Sequence, residues 1–118
     1  MATGRSEIIR NGDIVSVQIK ESSLDPAFAV IISADVLNDH LPTVLVCPLV
    51  EAPQMKESRI GATLIPKEVI GMERDVVVFT LQIKTIGKNQ IVKRISSVPP
   101  NYLGQIKESL LAVLDIHI

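Results

Sequence analysis

The sequence predicts a mostly β (α+β) fold: short antiparallel strands forming a strongly bent sheet or small barrel, closed by one C-terminal helix. Three observations predict it. Short runs rich in Ile and Val recur from Val15 to Val98, each bounded by turn residues, as pleated, half-buried surfaces require. No stretch of helical periodicity separates them, which argues against a parallel sheet with helical crossovers. Only after Pro99-Pro100 does helical spacing appear, at Leu103, Ile106, Leu110 and Val113-Leu114.

The elements follow in order. Asn11-Gly12-Asp13 is a turn signal, after which Val15, Val17 and Ile19 alternate with Ser16, Gln18 and Lys20, the period of a half-buried strand. Glu21 to Pro26 reads as a polar loop. Ala27 to Ile32 is apolar on both faces and reads as a central strand. Ser33 to Pro42 is polar and turn-rich, broken by Val36-Leu37. Thr43 to Val50 is a further strand in which Pro48 removes a ladder donor, placing it at an edge or bulge. Glu51 to Arg59 reads as a solvated connection. Short strands follow at Ala62–Ile65 and Val76–Phe79, with Gln82–Ile86 continuing after a bend and Ile91–Val98 last. Asn101 is the expected N-cap of the closing helix.

Composition narrows the function classes. The 118 residues suit a single domain spanning 1–118, and 47% hydrophobic residues suffice for a core. Twelve basic and 13 acidic residues leave a net charge of −1, unlike a general polyanion binder, so any nucleic-acid contact is local and involves few phosphates. Cys47 stands alone, which leaves no internal disulfide and no multi-cysteine metal site. No apolar run approaches the length of a membrane span, and Met1 to Glu7 lacks the apolar core of a secretory leader. The expectation is a cytoplasmic protein without metal, cofactor or membrane partner.

Several segments, in order, resemble the MazF/PemK family of toxins. They are Gly12-Asp13-Ile14-Val15, then Asp25-Pro26-Ala27-Phe28-Ala29-Val30-Ile31-Ile32-Ser33 with Asn38 beyond it, and Val44-Leu45-Val46-Cys47-Pro48-Leu49. Gln82-Ile83-Lys84-Thr85-Ile86, the sharpest, resembles the family's Gln-x-Arg/Lys-Thr-Ile segment, with Lys88 close behind. Lys93-Arg94-Ile95 leads into the helix. The resemblance implies an SH3-like barrel with a C-terminal helix, usually a homodimer. It implies a growth-inhibiting endoribonuclease that cleaves single-stranded mRNA without metal and is neutralised by an antitoxin peptide.

The family positions that carry the chemistry are altered here. Metal-free RNA cleavage needs a base, an acid and cations facing the phosphorane. The Arg that the family places before the proline of the second strand is Asp25, whose carboxylate would repel phosphate. The Thr or Ser at the end of the third strand is Val50. The Arg and Asp of PemK-like members fall at Phe79 and Leu81. Arg74 is the nearest alternative guanidinium.

Lys84 and Thr85 keep the family's phosphate-facing character, or are ordinary exposed strand residues. Lys93 and Arg94 are strand neighbours that point to opposite faces, so at most one joins Lys84 in a basic patch. His40 and His117 have no partner adjacent in sequence that would make them acid/base groups. Cys47 reads as an inert core thiol. Three functions stay open: an endoribonuclease toxin, a family member that binds RNA or a protein partner without cleavage, and an SH3-like protein-interaction module.

Overall fold

The computed structural model describes residues 8–18, 27–51 and 56–117. Seven strands form one sheet: β1 (Asp13–Val17), β2 (Ala27–Ile31), β3 (Thr43–Glu51), β4 (Thr63–Ile65), β5 (Val76–Val78), β6 (Lys84–Gly87) and β7 (Ile91–Ser97). The helices are α1 (Asp35–His40), the single turn α2 (Lys67–Ile70) and α3 (Pro100–Val113). Every pairing is antiparallel, and the order is β4-β5-β3-β2-β1-β7, with β6 added to β3. The predicted strands and closing helix are all present.

β3 organises the sheet. One edge pairs with β2, while the other pairs first with β6 (Val46 opposite Lys84) and then with β5 (Leu49 opposite Val78). Pro48 sits where one partner gives way to the other, and its carbonyl accepts the Phe79 N–H at 2.9 Å. The amide and carbonyl of a strand residue face the same edge, so the missing N–H falls opposite Phe79, whose carbonyl instead accepts the Gln82 N–H at 3.2 Å. The proline therefore sits in the most central strand, not at an edge.

The fold class is as expected, with the sheet left open rather than closed into a full barrel. β4 has three residues and runs at once into α2, so this end of the sheet offers helical carbonyls to β7 in place of a strand edge. Ser96 Oγ donates to the Ile70 carbonyl at 2.7 Å across the seam.

Apolar residues are buried on both faces. Ile14, Val30, Cys47, Leu49, Val76 and Val78 lie beneath α3 with Ile106 and Val98. The alternate positions Val15, Val17, Ala29, Ile31, Val44 and Val46 form a second cluster with Ile86 and Ile91. β1 is thus buried along its whole length, Asp13 and Ser16 included, where a half-buried strand was expected. Lying between β2 and β7, it has no solvent face.

Two local features also differ from expectation. Ser33–Pro42 contains helix α1, held by polar partners: Asn38 Nδ2 donates to the Ser33 carbonyl at 2.9 Å, and Asp35 Oδ1 accepts the Asn11 N–H at 2.7 Å. The closing helix begins at Pro100 with Pro99 in the cap position, leaving Asn101 inside the first turn. Proline suits that start, because its absent N–H would have had no helical partner. Gly12, with φ +92°, lets the turn before β1 pass under α3; a Cβ there would stand 3.0 Å from a Leu103 methyl and in a backbone region L residues avoid.

Candidate RNA-facing mouth

The second cluster opens to solvent where β1 ends and β2 begins. Val17, Ala27, Ala29, Val46 and Ile86 supply an apolar floor, with Phe28 and Pro48 beside them. Among the described residues, Lys84 is the one charged member of this lining. Its place follows from strand periodicity. Ile86 is buried in the second cluster, and Lys84, two residues earlier, shares that face at the exposed start of β6. The alkyl stem can cover apolar surface while the ammonium stays hydrated.

The other sequence candidates scatter. Thr85 pairs with Leu45 and points to the opposite face from Lys84. Lys93 pairs with Ser16, on the face of Ile14 and Val30, and so is separated from Lys84 by the sheet. Arg94 donates from Nε to Asp13 Oδ1 at 3.2 Å, at the far end of β1 from the mouth. Neither member of the Lys93-Arg94 pair therefore joins Lys84.

The positions at which the resemblance implies altered chemistry fall unevenly around the mouth. Val50 shares the face of Val46 and Pro48 and is 44% exposed. Phe79 is half-buried and tied by its backbone to Pro48. Leu81, 69% exposed, lies beside Gly61 in the 3-10 turn Thr80–Gln82. Asp25 and the Lys20–Leu24 loop lie outside the described residues, and Ala27, two residues after Asp25, lines the mouth. Arg74 Nε stands 3.7 Å from Glu51 Oε1; Glu51 and Val50 are consecutive on the strand and face opposite ways.

The remaining reactive groups are occupied elsewhere. His40 Nδ1 is 2.8 Å from the Val36 carbonyl within α1, and His117 pairs with Asp115. Cys47 is fully buried, and desolvation pushes its thiol up to about 11, so it stays protonated and un-nucleophilic near neutral pH. Among the described residues no group of three or more His, Cys, Asp or Glu side chains could hold a metal, and no helix is long and apolar enough to cross a membrane.

Chemically, the mouth offers one cation above an apolar floor, and no carboxylate or imidazole in its described lining. It can attract a phosphate and give a planar base an apolar surface. Sequence reasoning missed two polar clusters. One is Asp13, Arg10 and Arg94 with the Ser33–Asn38 pair. The other joins Gly61, Thr80 and Ser109, and its only sequence signal was a serine inside the apolar stripe of α3.

Fold and site together define an α+β protein with an open antiparallel sheet, a closing helix and an apolar mouth that carries Lys84. The chain belongs to the PemK-like, MazF-like toxins of type II toxin-antitoxin systems, whose family model matches residues 10–114. By sequence alone, no curated protein matches it. Solved structures match over nearly the whole fold at low identity. An endoribonuclease in complex with its cognate antitoxin from a mycobacterial species has TM-score 0.76 and 15% identity, covering 95% of this chain and 98% of that one. The Mycobacterium tuberculosis toxin MazF-mt6 has TM-score 0.73 and 17% identity, covering 90% and 99%. MazF in a MazE–MazF crystal from Deinococcus radiodurans has TM-score 0.74 and 14% identity, covering 94% and 99%.

Proposed function

We propose that this chain is the toxin of a toxin–antitoxin pair, a metal-independent endoribonuclease that takes single-stranded RNA at the Lys84 mouth and is neutralised by an antitoxin peptide. Membership of the toxin family over residues 10–114 supports the activity. The observation that carries the site is Lys84, the only charged group among the described residues of an otherwise apolar lining. In this reading its ammonium pairs with one phosphate and the apolar floor receives the adjoining base. A homodimer acting in the cytoplasm belongs to the same reading.

One observation favours a second reading, in which the protein grips RNA or its antitoxin without cutting. The described lining holds no carboxylate or imidazole for proton transfer, and the resemblance implies that Val50 replaces a family hydroxyl. The two readings separate in one assay. Purified protein is incubated with single-stranded RNA in excess chelator, and both cleavage and mobility shift are scored. Cleavage supports the nuclease, a shift with intact RNA supports the binder, and the absence of both rejects the RNA site.

A further inference from the structure

Beneath α3, three residues from separate segments close a hydrogen-bonded ring. The Gly61 N–H donates to Ser109 Oγ at 2.9 Å, Ser109 Oγ lies 2.7 Å from Thr80 Oγ1, and the Thr80 N–H returns to the Gly61 carbonyl at 3.0 Å. Thr80 is fully buried. The ring joins the closing helix, the turn between Arg59 and Ala62, and the 3-10 turn Thr80–Gln82.

The rest of α3 is held differently. Tyr102, Leu103, Ile106 and Leu110 pack on the first apolar cluster, and such contacts tolerate small slides and rotations of the helix. Among the described residues, Ser109 makes the only side-chain hydrogen bonds from α3 to other segments. Its hydroxyl is thus, among the described residues, the one directional side-chain tie between the helix and the rest of the fold. The turn it grips leads through Ile83 directly into Lys84, with Ile83 itself packed on the same cluster.

We propose that Ser109 is a positioning residue, which couples the seating of α3 to the placement of Lys84 at the mouth. A partner that displaces or clamps α3 then alters the mouth without touching it, because the ring transmits the shift to the start of β6. The functional part of this inference rests on the RNA reading of Lys84; the coupling itself does not.

Residue-resolved hydrogen exchange on the full chain tests the coupling. Ser109→Ala should speed exchange about tenfold at the Thr80, Gln82 and β6 amides, with β1 and β2 little changed. Ser109→Thr, which keeps the hydroxyl, should restore slow exchange. Thr80→Val, which removes the other hydroxyl at similar shape, should repeat the Ser109→Ala pattern and serves if that variant does not fold. Ile106→Val is the control, loosening the same helix through its apolar face alone. A Ser109→Ala or Thr80→Val profile that rises uniformly, as in that control, would overturn the proposal. RNA affinity is measured in parallel: it should fall in Ser109→Ala and recover in Ser109→Thr. If Lys84→Ala leaves RNA binding untouched while the local exchange pattern holds, the RNA reading fails and the coupling stands.

Discussion

Lys84 stands directly opposite Val46 on the β3–β6 ladder, a charged residue at the rim paired with one that is 1% exposed. The pairing fixes where the positive charge sits relative to the apolar floor. A slip of one residue would turn Lys84 to the other face and bring Thr85 to the mouth. The buried Val44 and Ile86 pair, two residues along, resists that slip. The site is therefore built on the sheet's own packing.

Asn38 should be costly to replace. Its amide donates to the Ser33 carbonyl and its oxygen accepts the Ser33 hydroxyl, while Ser33 Oγ accepts the Leu45 N–H. Asn38→Ala leaves the buried Ser33 groups short of partners, at a cost of about 2 kcal/mol. Urea denaturation should show the midpoint falling with the m-value unchanged. An unaltered midpoint would show that α1 does not depend on this network.

Much of this architecture was legible in the sequence, for identifiable reasons. The strands declared themselves because Ile and Val alternate against turn residues, and α3 because Ile106 and Leu110 recur at helical spacing. α1 was hidden, since two of its anchors, Asn11 and Leu45, lie elsewhere in the chain and Val36 and Leu37 are exposed. The full burial of β1 depends on having β7 as a neighbour, which alternation alone does not report. Pro48 misled because its meaning comes from two partner strands meeting at one edge. Lys84 was singled out from its motif as a candidate, whereas its separation from Lys93 needed the register.

Cys47 gives a pH signature. Burial raises its thiol from an ordinary value of 9.0 to about 11 in the folded chain. The native state therefore holds the proton longer than the unfolded chain, and stability from this group is complete below about 9 and lost as pH rises toward 11. Near neutral pH a thiol reagent should label Cys47 only as fast as the protein opens. Rapid labelling of the native protein would contradict its placement.

The positions at which the resemblance implies altered chemistry invite a gain of function. Asp25→Arg exchanges a carboxylate for a guanidinium two residues before Ala27 of the mouth, and Val50→Thr adds a hydroxyl on the Pro48 face of β3. Reversing the charge should tighten RNA binding, by about tenfold at low salt. The double variant should cut single-stranded RNA in chelator faster than the native chain. Equal rates and equal affinities would show that these positions do not limit the chemistry.

The most direct measurement is RNA affinity against salt for the native protein and Lys84→Ala. A one-phosphate contact at this lysine predicts that the variant binds single-stranded RNA about tenfold more weakly at low salt, with a log–log salt slope shallower by about 0.7. The same affinity and the same slope in both proteins would contradict it, and the mouth would then not be where RNA is held.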